Sequence, residues 1–539
     1  RDCIPASNSR ICNATDHKWR RDKFLRNSII KTLVMITLST ACSAATYTAA
    51  SCNLSAVQAA IDAEAATPAD GDIIAIPAGT CTWTGTVHVI GYPTTSVTIQ
   101  GAGAQYANSG GATLSGSDTT VIIDNISHSG GDANVMVFNV AAGKSLRLTG
   151  FALLQNGSSS SSNEMILIAG PSTSIRIDHI HTYMQMGSYQ VKFLNSYGLL
   201  DHNFFEGTGG WGGISIHRPW TSGAGDEQWA EADQFGTANF VYVEDSQFLN
   251  SGIGDSQDGG RYVMRHNSML SSQSPGPQMA NHGLDASNGR STRAGEVYLN
   301  SMVSTVSGGL GQPTFSNNGG PTLFWGNTVT QYQSGLGVDY TRKDNSTYNY
   351  GTPPSLWGNC SSSGGNGWDQ NLSAPSGYAC MDQPGRGQGD LATGWLPAVC
   401  NSTLGCSTYN GQWLRQALSP IYVWANNFTT ASSHSGLLVG NLAAPLVSDN
   451  RDYYQQFGTG AEPGSFDGTA GIGEGLLSAR VSTCTAGPGG NTPGVGYWAT
   501  DQNTLYVCNP TNTWTAYYTP YTYPHPLQGA THGHRRLIQ

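Results

Sequence analysis

A short strand phrase recurs along this chain, and recurrence at this spacing leaves few folds open. It reads SLRLTGFAL at 145–153, SIRIDHIHT at 174–182, GLLDHNFFEG at 198–207 and VYVEDSQFLN at 241–250. It returns as YVMRHNSML at 262–270, VYLNSMVST at 297–305, LFWGNTVTQ at 323–331 and IYVWANNFTT at 421–430. Each copy alternates β-branched, aliphatic or aromatic residues, takes a polar step, and resumes with an apolar residue. With Gly150, His179, His202, Asp245, His266, Asn300, Asn327 and Asn426 as equivalents, the steps are 29, 23, 43, 21, 34, 27 and 99 residues. The shorter steps fit one coil of a β-solenoid, and 43 fits two coils or one coil with an insertion. Gly, Asn, Ser and Asp between copies supply the turns. A propeller blade needs four strands in about 40–45 residues, more chain than most steps contain. The fold class expected is an all-β solenoid of stacked parallel strands.

Composition agrees. The chain holds 69 Gly, which the turns require, and only 11 % charged residues, against a usual share of about 25 %. A hydrophobic share of 38 % excludes a disordered or collagen-like chain, and the low charge excludes a coiled coil. Of 25 basic and 35 acidic residues, 1–45 hold eight and three, leaving 17 basic against 32 acidic beyond. Only Lys144, Lys192 and Lys343 remain as lysines there. Such a surface lacks the cations that a phosphate backbone needs, so nucleic acid is not an expected partner.

Residues 29–41 (IIKTLVMITLSTA) form an apolar run after Arg20, Arg21, Lys23 and Arg26, with small residues at 41–45. That is the order of a secretory signal peptide. The run is shorter than the ~20 residues a membrane span requires, so no transmembrane segment is expected. A lipidated Cys42 is the variant reading, and residues 1–22 resemble no part of a signal. Cleavage after Ala44 or Ala45 leaves eight of the eleven Cys, an even number suited to disulfides in an oxidising compartment. Sequence neighbours suggest Cys52–Cys81, Cys360–Cys380, Cys400–Cys406 and Cys484–Cys508. No CxxC pair points to zinc.

Residues 53–80 read as an amphipathic helix, a Gly-Asp turn and a strand, suited to covering the open end of a solenoid. With GDIIAIPAGT and SVTIQGAGA (96–104) they resemble the N-terminal end of right-handed parallel β-helix proteins of the pectate-lyase-like superfamily. The resemblance implies a right-handed parallel β-helix over 46–440, with a loop excursion near 350–420. Residues 441–539 are then a C-terminal extension. Its stretch 494–527 has eight Tyr or Trp in 34 residues, and is expected to cap the far end, with sugar stacking as the alternative.

The densest polar stretch lies between 241 and 300. It carries Glu244, Asp245, Asp255, Asp258, Arg261, Arg265, His266, His282, Arg290 and Arg293. Residues one coil apart stack in a solenoid, so groups distant in sequence converge along a face. Two mechanisms suit them. In β-elimination from a uronic-acid polysaccharide, a cation neutralises the carboxylate and a base removes the C5 proton. Acidic oxygens would hold Ca²⁺ for that purpose. In glycoside hydrolysis, two of the same carboxylates suffice without metal.

The order of VYVEDSQF, GDSQDGG, RYVMRHNSM and GRSTRAGEVYLNS resembles the pectate lyase family. The resemblance implies Asp245, Asp255 and Asp258 as calcium ligands, with Glu244 beside them, Arg290 as base and Arg293 on substrate. Asp255 and Asp258 stand one residue closer than in the family, and Thr292 replaces the motif's Pro. No Lys lies between 266 and 290, so His282, or Lys192 from an earlier coil, would take the part of the family's lysine. Substrate contacts are expected from Arg265 and from the 207–236 segment, with Trp211, Trp220, His217 and Arg218. The expectation is a secreted, monomeric, calcium-assisted lyase of extracellular polysaccharide. A glycoside hydrolase and a non-catalytic glycan-binding or adhesion protein are the alternatives.

Overall fold

Alternating apolar residues in successive copies of the phrase stack into continuous internal columns. A computed structural model describes residues 44–529 except 93–94, 127–133, 157–163, 186–188, 210–211, 218–227, 230, 275, 277–279, 284–289, 340–381, 389–416, 430–435, 442, 445 and 457–465. The apolar leader run, most of the 350–420 stretch and its four cysteines therefore lie outside the described residues.

Three long parallel sheets form the body. Sheet A has twelve strands, from Thr46–Thr48 to Tyr453–Gln455; sheets B and C have ten each. The chain visits A, B and C in turn, as in Val241–Glu244, Gln247–Leu249 and Ile253–Gln257. This is a parallel β-helix. One inward column of sheet A runs in register from Ile74 through Ile99, Leu148, Ile177, Leu200 and Val243 to Met264 and Val297. All are buried in a single core cluster. Stacking like on like at about 4.8 Å keeps each aliphatic side chain against two others.

The turn from sheet A to sheet B sets the phase of the repeat. Its residue takes a left-handed conformation at Gly150, His179, His202, Asp245, His266, Leu299, Gly326 and Ala425. The last three equivalents thus fall one residue earlier than the sequence alignment has them. Asn300, Asn327 and Asn426 belong with Asn267 in the next column, where they form a ladder. Asn300 Oδ1 accepts the Asn267 N–H at 3.0 Å, Asn327 Oδ1 that of Asn300 at 3.1 Å, and Asn426 Oδ1 that of Asn327 at 2.9 Å. Each side chain satisfies a buried turn N–H that no sheet partner reaches.

At the N-terminal end, helix Leu54–Ala66 buries Val57 and Ile61 in the core with Ile74 and Trp83. The Cys52–Cys81 disulfide ties its entrance to the first sheet B strand. The C-terminal aromatic segment does not follow its expected place. A four-stranded sheet (Ile472–Gly475, Gly496–Ala499, Thr504–Cys508, Trp514–Tyr518) lies on the outer face of sheet A, with the Cys484–Cys508 disulfide at its base. Trp498 packs 4.9 Å from Trp325 and 5.4 Å from Trp424, between ring centroids. The tail then runs back along sheet A, where Arg176 donates to the Gln528 carbonyl at 3.0 Å. No helix among the described residues is long and apolar enough to cross a membrane.

Candidate active site

Sheet C turns a row of polar side chains to its outer face. Val191, Phe193, Ile214 and Ile216 point into the core, so alternation turns Lys192, Ser215 and His217 outward. The ladder pairs Lys192 with Ser215 and Ser215 with Asp255; beside it, His217 pairs with Gln257. Three coils thus deliver a cation, a hydroxyl and a carboxylate in one column, about 4.8 Å per rung.

These groups are tied to one another. Lys192 Nζ lies 2.6 Å from Glu164, and the Tyr189 hydroxyl donates to Asp255 at 3.1 Å. His217 Nδ1 faces Asp258 Oδ2 at 2.9 Å, and the Gln257 amide nitrogen stands 3.3 Å from Nε2. Asp258 occupies a left-handed turn (φ 54°) whose N–H donates to the Arg290 carbonyl at 2.7 Å. The His282 N–H binds the Ser256 carbonyl at 2.8 Å, placing His282 beside the same strand. Burial, with Lys192 and His282 nearby, holds His217 well below the ordinary imidazole range. It is therefore neutral, with Nδ1–H toward Asp258 and a lone pair on Nε2. Burial and the Asp255 charge push the Tyr189 phenol well above 10, so it stays protonated.

The arginines expected to act on substrate are engaged internally. Arg290 holds Asp382 at 2.6 and 2.8 Å, and Arg293 pairs with Asp233 at 2.5 Å while donating to the Gln228 and Glu231 carbonyls. Both guanidinium groups flank the Trp229 ring, at 5.0 and 5.3 Å from its centroid. Arg290 is 3 % exposed and Arg293 fully buried. They brace the turn that carries Asp258.

Glu244, Asp245 and Arg265 sit elsewhere, on sheet A and its turn to sheet B. Arg265 pairs with Glu244 at 2.6 Å through Nη2, which also donates to the Thr522 carbonyl, and Nη1 donates to the Tyr521 carbonyl. Glu244 also accepts from the His525 N–H and the Gln528 amide. Asp245 accepts from Gly110 N–H at 2.7 Å, the Tyr523 hydroxyl at 2.8 Å and Gln528 at 2.9 Å. The four acids expected to share one calcium ion are thus divided between two sheets. Glu244 and Asp245 already face protein donors, and no group of three or more His, Cys, Asp and Glu among the described residues is arranged to hold a metal. Trp211, Arg218 and Trp220 lie outside the described residues.

Sequence reasoning passed over Glu164, Tyr189, Ser215, Gln257 and Asp382. Ser215 was within reach, because reading YQVKFL and GISIH for their outward positions selects Lys192, Ser215 and His217 together. Asp382 had no such signal, since it reaches Arg290 from 92 residues away. No family model matches the chain, and neither a curated protein nor a solved structure does.

Proposed function

We propose that this protein is a secreted enzyme that cleaves an extracellular, uronic-acid-containing polysaccharide by β-elimination on the outer face of sheet C. The observation that carries this reading is the column Lys192–Ser215–Asp255 with Tyr189 hydrogen-bonded to Asp255. A polymer with a repeat of about one sugar per 5 Å can lie along rungs spaced about 4.8 Å. The two disulfides and the apolar leader run favour export.

In this reading Lys192 meets the uronate carboxylate and makes the C5 proton more acidic. Asp255 takes that proton; the C5–H electrons form the C4–C5 double bond and the C4–O bond breaks. Tyr189, protonated at neutral pH, gives its proton to the departing oxygen and recovers it from Asp255 through their hydrogen bond. Burial and the nearby Lys192 charge keep His217 neutral, with Asp258 fixing its Nδ1–H, so that no second cation competes with Lys192.

The three carboxylates Glu164, Asp255 and Asp258 favour a second reading, glycoside hydrolysis by an acid pair. One experiment separates the two. A panel of uronate polymers and neutral glycans is followed by ultraviolet absorbance and by reducing ends, with calcium or EDTA. Elimination predicts absorbance that Lys192→Met abolishes. Reducing ends without absorbance would replace elimination by hydrolysis, and neither signal would leave a glycan-binding protein.

A further inference from the structure

Two buried polar atoms on the outer face of sheet C have no hydrogen-bond partner among the described residues: Ser215 Oγ, one rung from Lys192, and Gln257 Oε1, beside His217. Ser215 is fully buried and Gln257 4 % exposed. Folding removes both atoms from water without compensation, which proteins seldom tolerate outside sites that a ligand or water completes. Both project from the outer face of sheet C. Ser215 stands one rung from Lys192 and one from Asp255, and Gln257 flanks His217. Lys192 and Tyr189, both half-buried, lie where the column meets solvent.

The chemistry of the orphans names what they would receive. Gln257 Oε1 can only accept, because the amide nitrogen is already turned to His217. The Ser215 hydroxyl can donate or accept. Neither is charged, so together they suit vicinal hydroxyls and not a second carboxylate. We propose that Ser215 and Gln257 form the subsite that reads ring hydroxyls of the uronate whose carboxylate Lys192 holds, and so determine which sugar is accepted. This rests on the polysaccharide reading above and adds the specificity determinant to it. A sugar with a hydroxyl in reach completes both atoms; an epimer without one leaves them unpaired in a dry site, the arrangement that gives strong discrimination.

The test exploits an opposition between stability and binding. Ser215→Ala and, independently, Gln257→Met are made in the full chain. Melting temperature is measured with and without polygalacturonate, alginate and hyaluronan, and KM and kcat on whichever polymer is cleaved. We expect each free variant to melt at or above the parent temperature, since an unsatisfied atom has been removed. KM on the cleaved polymer should rise 10- to 100-fold, more than kcat falls, with Ser215→Thr restoring part of the loss. Variants that melt lower and keep the parent KM would overturn the subsite and mark the two atoms as partners of internal water. Cleavage with unchanged KM overturns the subsite alone. Polymer-induced stabilisation that depends on Ser215 but comes without cleavage overturns the catalytic reading and leaves the subsite standing. Absence of both overturns the two together.

Discussion

Replacing Arg265 with Met tests whether the sheet A charges hold the fold or meet a substrate. Arg265 and Glu244 are both fully buried, 2.6 Å apart, with a second contact from Nε at 2.7 Å. Breaking such a pair from one side strands the other charge, at a cost of about 3–5 kcal/mol. Arg265 also donates to the Tyr521 and Thr522 carbonyls at 2.7 and 2.8 Å. Those bonds to a charged donor lie in the range of about 1.5–3 kcal/mol each, part of which overlaps the first figure. The expected loss is therefore about 4 kcal/mol, with release of the tail beyond Thr519.

Denaturant unfolding of Arg265→Met, Glu244→Gln and the double variant gives the coupling directly. The double variant should lose less than the singles together, with a coupling of about 2 kcal/mol or more. Limited proteolysis should cut the tail of Arg265→Met sooner than that of the parent. Turnover per folded molecule should stay within a few-fold of the parent, because neither residue touches sheet C. A loss below about 1 kcal/mol with no coupling would refute the buried-pair reasoning. Full stability with lost cleavage would return Arg265 to the substrate-binding role that the sequence suggested.

Glu296 offers a pH-dependent test. Burial pushes its carboxyl up to about 7 from 4.5, so the native state keeps a proton that the unfolded chain releases. Its stabilising contribution is complete below about pH 4.5 and lost as pH rises through about 7, roughly 3 kcal/mol in all. Glu296→Gln should flatten that part of the stability–pH curve, read by denaturant midpoints; an unchanged slope would sink the assignment. Asn300→Ala strips the Asn267 N–H of its acceptor and the Tyr298 and Met264 carbonyls of a donor. It should cost about 1–3 kcal/mol, while Asn427→Ala, at an exposed position, should stay within about 0.5. Gly111 has φ +69°, and a Cβ there would come 2.2 Å from the Ser246 carbonyl oxygen. Gly111→Ala should lift the 105–116 hairpin from Asp245, seen as faster proteolysis at its tip and a stability loss of at least about 1 kcal/mol.

The solenoid was legible because its signal is repeated. Alternation at Ser174–Asp178 is weak alone, but eight recurrences of the phrase identify a stack of parallel strands. The phase failed by one residue at Asn300, Asn327 and Asn426. There the turn accepts Leu299, Gly326 or Ala425 in the left-handed conformation, a set with no common chemistry. Asn was the more recognisable residue, and it marks the next column. The place of the aromatic segment was not legible either. Tyr, Trp and Gly suit a flat sheet against any apolar face, and nothing in 494–527 distinguishes the end of a coil from its flank. The deciding residues lie far away, in the outward column Tyr298–Trp325–Trp424 that Trp498 and Tyr518 cover.

Density along the sequence proved a poor guide to convergence for a reason built into the coil. Each turn visits three faces, so sixty consecutive residues distribute their charges among all three. Glu244 and Arg265 go to sheet A, where the tail closes over them, while Asp255 and Asp258 go to sheet C. The converse also holds: Lys192, Ser215 and Asp255 span 64 residues and stand on adjacent rungs. A site on such a scaffold is read down a column. Once the core positions of one coil are fixed, the outward residues of its neighbours follow by register, and sheet C is the face where that reading collects a cation, a carboxylate and two atoms awaiting a partner. Sheet A collects as many charges, but there the tail covers them, whereas Lys192 and Tyr189 on sheet C remain only half-buried. That difference makes sheet C the candidate face.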